Sequence, residues 1–102
     1  MSATSLHERP DDLKPHTVDM HRAIRSLMEE LEAIDWYRQR ADASPDAGLE
    51  KIMLHNAREE IEHACMILEW IRRSDPEFDR MLRTYLFTEG EITEVEEHTK
   101  ME

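Results

Sequence analysis

Residues 59–63, Glu59-Glu60-Ile61-Glu62-His63, decide how this chain folds. Glu60 and His63 are three positions apart, so an α-helix sets them on one face. Working outward in steps of three and four, Leu49, Met53, Asn56, Glu60, His63, Ile67 and Trp70 form one seam, largely apolar, with a carboxylate and an imidazole at its middle. An unpaired ionised carboxylate in such a seam costs roughly several kcal/mol, so it must be paired, neutralised or bound to a metal.

The helix carrying this seam is predicted over residues 45–73, with Ser44 as its N-cap, Pro45 as its first residue and Asp46 complementing the dipole. A second apolar strip on it, Leu54, Ala57, Ile61 and Leu68, is expected to need a further partner. Upstream, Met20, Ala23, Leu27, Glu30, Ile34, Tyr37 and Ala41 recur at heptad spacing without Gly or Pro, predicting a first helix over residues 15–42. The short connection Ala43-Ser44-Pro45-Asp46 makes the two helices an antiparallel hairpin. Asp75-Pro76-Glu77 repeats the cap, proline and acid order and opens a shorter third helix through Phe78, Met81, Leu82, Tyr85 and Leu86. Residues 1–13 read as a flexible arm, 14–90 as the helical domain and 91–102 as an acidic tail, frayed or disordered.

Composition bounds the rest. A chain of 102 residues holds one small domain, and two glycines and four prolines among strong helix formers favour an all-α fold. The net charge of −11 argues against a nucleic-acid backbone or an anionic membrane as partner and for attraction of cations. No apolar run approaches the roughly 20 residues that span a bilayer. Cys65 is the single cysteine and no charged leader with an apolar core opens the sequence, so a reducing cytoplasm is expected. Cys65 is expected as a small buried residue, and Met28, Met53, Met66 and Met81 as core filler.

Glu30 holds on the first helix the place that Glu60 holds on the second, between Leu27 and Ile34. A hairpin that pairs the seams faces a Glu with a Glu-x-x-His, an oxygen-rich ligand set suited to iron or manganese rather than structural zinc. A dinuclear site of this kind needs four helices, so two copies of the chain are expected to meet across a two-fold axis, using Glu30, Glu60 and His63 twice. The ordinary alternative is an interhelical hydrogen-bonded cluster at the edge of the stripe. Glu29, Glu32 and Trp36 share nearly the opposite face of the first helix and suit either a subunit contact or a cation entrance. His55, Glu59 and Glu62 share a face beside the seam and suit either a solvated charged surface or a secondary site for divalent cations.

The stretches MHRAIRSLMEELEAIDWYRQRADAS, HNAREEIEHACMILEWIRR and LRTYLFTEGEIT closely resemble the encapsulated ferritin family, over residues from about Met20 to Thr93. The resemblance implies a half-ferritin whose antiparallel dimer rebuilds a ferritin-like four-helix bundle with a di-iron site, assembled further into a ring of five dimers. It implies a ferroxidase that oxidises Fe(II) with dioxygen, housed with its iron store inside an encapsulin nanocompartment. By the same resemblance the iron ligands fall on Glu30, Glu60 and His63, the cation entrance on Glu29 and Glu32 beside Trp36, and an outer cation site on His55, Glu59 and Glu62. Tyr37 matches an aromatic residue beside the iron. Family members commonly carry a C-terminal peptide that docks on the shell, and this sequence ends at HTKME. Two rival functions are a non-enzymatic helical adaptor whose polar seam sets dimer register and a di-metal protein that reduces peroxide.

Overall fold

The computed structural model describes residues 6–101. Its helices are α1 (Pro15–Ala43), α2 (Ala47–Ser74), α3 (Pro76–Tyr85) and α4 (Ile92–Met101), preceded by a 3-10 turn at Pro10–Asp12, with no strand among the described residues. The fold is all-α, as the composition and periodicity predict. Two units divide it, Met1–Trp70 and Ile71–Glu102.

The first unit is the hairpin. Pro15 opens α1, where its missing N–H costs nothing, and the Ser44 N–H closes it on the Arg40 carbonyl at 3.0 Å. That bond makes Ser44 the C-cap of α1, so it does not cap α2. Asp46 does so instead: its Oδ2 accepts from the Leu49 N–H at 3.2 Å, and its carbonyl accepts from Glu50 N–H at 3.0 Å. The Ser44 hydroxyl braces the bend by accepting from the Asp46 N–H at 3.2 Å. The second helix thus begins after Pro45 and Asp46, two residues later than the sequence predicts.

Alanines hold the helices of this unit close. Ala41 in α1 and Ala57 and Ala64 in α2 are buried, and side chains of one carbon let backbones approach. Ala57 belongs to the strip that was expected to need a further partner. That strip is covered, with Leu54, Ile61 and Leu68 part-buried, and so is the middle of the predicted seam, where Met53, Asn56, Glu60, His63 and Ile67 are part-buried; Leu49 and Trp70 at the two ends of the seam remain exposed. Ile52 and Met66 beside the seam, and Ile24, Met28 and Leu31 on α1, are exposed as well. Two of the methionines expected as core filler, Met28 and Met66, therefore face outward, as does Cys65, which lies on neither strip.

In the second unit Asp75 and Pro76 act as predicted. Asp75 Oδ1 accepts from the N–H groups of Glu77 (2.9 Å) and Phe78 (3.1 Å), with Pro76 at the first turn of α3. Asp79 accepts hydrogen bonds from Arg72 at the end of α2 and from Arg83 Nε at 2.8 Å. These two guanidiniums, Arg72 first, hold its carboxyl below the ordinary value of 3.8. The helix ends where Phe87 turns to φ 63° and Gly90 to 85°. The acidic tail, expected to fray, forms α4. Its first turn is closed by the Glu91 carbonyl, which accepts from Glu94 and Val95 N–H at 3.1 Å. Glu94 in that turn and His98 and Lys100 in the last suit the helix dipole, and Lys100 pairs with Glu96 at 3.6 Å. No helix among the described residues is long and apolar enough to cross a membrane.

Candidate metal centre

Equal arms bring the site together. Glu30 lies thirteen residues before Ala43, the last residue of α1, and Glu60 thirteen after Ala47, the first of α2. At 1.5 Å per residue both carboxylates stand about 20 Å from the bend, at one height. His63 is one turn further along α2 on the same side.

One ligand atom from each of Glu30, Glu60 and His63 lies within 4.8 Å of the others, and among the described residues no other trio of His, Cys, Asp and Glu does so. His63 Nδ1 is 3.7 Å from Glu30 Oε2 and 3.7 Å from Glu60 Oε2. That spacing is too long for a hydrogen bond. The carboxylate side chains are 23% and 25% exposed and the imidazole 45%, so the cluster is covered on the hairpin side and open on the other. Glu30 Oε2 is buried and accepts no hydrogen bond.

A buried carboxylate oxygen without a donor is costly, of the order of 1–3 kcal/mol or more for a charged group. Two carboxylate oxygens and one imidazole nitrogen, near one another but too far apart to hydrogen-bond, fit a hard or borderline divalent cation. The ligand chemistry and the orphaned oxygen together suit a divalent cation such as iron or manganese.

The other sequence-predicted residues stand apart from this trio. Glu29, Glu32 and Trp36 are exposed on α1, with the Arg40 guanidinium over Trp36 at 5.8 Å and over Tyr37 at 5.7 Å from the ring centroids. Tyr37 is part-buried. His55 pairs with Glu59 at 3.7 Å, and Glu62 is exposed near them in sequence. Ile52 and Met66 were missed by the sequence reading. They recur on α2 with Glu59, His63 and Trp70 at steps of seven, four, three and four, and this spacing puts an exposed apolar flank on the helix face of His63.

Comparison with known proteins adds the following. The sequence profile of the EncFtn-like family matches residues 5–89. An encapsulated ferritin-like protein of Rhodospirillum rubrum is 59% identical over 95 residues, covering 93% of this chain and 68% of its own length. The encapsulin nanocompartment cargo protein EncC of Myxococcus xanthus is 40% identical over 60 residues, covering 58% of this chain and 46% of its own. The crystal structure of protein ne0167 from Nitrosomonas europaea has a TM-score of 0.83 at 55% identity, over 85% of this chain and 96% of that one.

Proposed function

Because this chain belongs to the EncFtn-like family, we propose that it is a ferroxidase whose substrate is Fe(II), working at a site completed by a second copy of the chain and housed in an encapsulin compartment. The observation that carries this reading is the buried, donorless oxygen of Glu30 beside Glu60 and His63.

Two copies supply four carboxylates and two imidazoles, and the four negative charges offset two ferrous ions. The anionic oxygens favour the higher charge of the ferric product, which is the thermodynamic pull on the reaction. Two Fe(II) give up two electrons to one dioxygen, which with two protons becomes hydrogen peroxide. In this reading Glu60 of each chain would be shared between the two ions, and Glu30 and His63 would each bind one. The exposed flank of Leu49, Ile52, Met66 and Trp70 next to His63 supports a second copy lying over the open side. Glu29, Glu32 and Trp36 on one side, and His55, Glu59 and Glu62 on another, serve as outer stations for cations drawn in by the net charge of −11. Tyr37 orients a ligand carboxylate. Encapsulation follows by kinship with the cargo protein.

The test is ferrous oxidation under air by the wild type and by Glu30→Ala, Glu60→Ala and His63→Ala. Each variant is expected to fall by about 100-fold or more, since even residues one shell further out cost 10–100-fold. Wild-type rates in all three would refute the site. Native mass spectrometry is expected to give an even-numbered oligomer, and an active iron-loaded monomer would refute the shared centre.

A further inference from the structure

The corner between α2 and α3 gathers positive charge in a chain whose net charge is −11. Arg72 and Arg73 from the last turn of α2, and Arg83 from the last turn of α3, line one cleft of about 390 Å³ together with Pro76 and Asp79. Asp79 Oδ1 accepts from Arg72 Nη1 and from Arg83 Nε, so a single oxygen brackets two guanidiniums and fixes both on the rim. The cleft then holds three guanidiniums against one carboxylate.

A guanidinium has five N–H groups, and the bracket uses one from each of two arginines. Arg72 and Arg73 engage further partners, so what the cleft offers is charge and donor number rather than an unpaired group. The N-terminus of α3 does not supply it, because Asp75 already accepts from the Glu77 and Phe78 N–H groups.

We propose that this cleft is a binding site for a tetrahedral oxyanion of the phosphate class, held by Arg72, Arg73 and Arg83. Planar guanidinium forks match pairs of oxygens, and three arginines lining one cleft favour an anion with several oxygens over a lone carboxylate. Asp79 is the positioning residue: it spends one donor of each neighbour to aim the rest. The site uses none of the hairpin's carboxylates or its imidazole, and its ligand class is the opposite of theirs.

The experiment is titration of the full chain, without iron, by inorganic phosphate, followed by calorimetry and by the arginine side-chain N–H resonances. Saturable binding that shifts the Arg72, Arg73 and Arg83 resonances is expected, weakening as chloride screens it. Arg73→Gln, which leaves the Asp79 bracket intact, and Arg83→Gln should each weaken binding about three- to tenfold, the loss of one charge-assisted hydrogen bond near water. Arg38→Gln, far along α1, should change nothing. Sulfate should compete and acetate should not. Phosphate binding equal to wild type in both cleft variants, shifts centred elsewhere, no binding at all, or acetate competing as well as sulfate would each overturn the assignment.

Discussion

Asp79 and Glu30 are both carboxylates set beside nitrogen groups of a neighbouring helix, and they end up in opposite states. Asp79 receives direct hydrogen bonds from Arg72 and Arg83, and its carboxyl is held below 3.8. Glu30 has His63 at 3.7 Å and a buried oxygen with no donor. Both clusters hold acids and nitrogen groups, so residue types alone do not separate them. What separates them is direct donation to Asp79 and its absence at the buried Glu30 oxygen, the contrast on which the proposed cation of the hairpin and the proposed anion of the corner rest.

The sharpest way to break that contrast is Glu30→Gln. Iron oxidation should drop about 100-fold, because a ligand charge is gone. Metal-free stability to urea should rise by about 1 kcal/mol, because an amide tolerates burial better than a carboxylate without a donor. A loss of stability instead would mean that Glu30 is already satisfied within the chain, as Asp79 is. Next in size is Met66→Asp on the exposed flank of α2. It should shift the oligomer towards monomer in native mass spectrometry and slow oxidation with every ligand intact, whereas the same change at Arg38 should do neither.

Ala57→Leu asks whether the hairpin geometry depends on its small residues. Overpacking there should cost about 1–3 kcal/mol in urea unfolding and reduce oxidation, while phosphate binding at the corner stays as it was. The smallest effect concerns pH. Asp79 has its folded value depressed by Arg72 and Arg83, so its contribution is fully present above the unfolded value of 3.8 and lost as pH falls through the lower folded value. Acid titration of α3 helicity should therefore show a step below 3.8 that Asp79→Asn abolishes. A step unchanged in the variant would assign the acid transition to other carboxylates.

Helical periodicity made the hairpin and the trio legible, since Glu30, Glu60 and His63 each interrupt an apolar series at a position a solvated acid would avoid. Asp75-Pro76 was legible for the same local reason, because cap and proline act within one turn. Ser44-Pro45-Asp46 looks alike and behaves differently, for Ser44 is already committed to the end of α1 through Arg40. That competition between two helices for one residue is not written in either. Nor is the inner face of α2, because Leu54-Ala57-Ile61 and Met53-Asn56-Glu60 are covered together and the face takes in parts of both strips. The left-handed turn at Phe87 carried no signal, because aromatic residues rarely adopt it. The tail was misjudged because its acidity suggested repulsion, whereas its charges are sorted along the axis of α4.

The equal arms of the hairpin have a consequence for which changes of length the protein survives. One residue inserted between Glu30 and Ala43 would swing that carboxylate by about 100° around α1 and away from Glu60. Seven inserted residues would restore the direction, yet leave the two acids about 10 Å apart in height. Compensation requires the same insertion in both arms at once, which single mutational events do not deliver. The stretch from Glu30 to His63 is thus closed to insertion and deletion except at the bend, and changes of length are confined to the bend and to the segments outside that stretch.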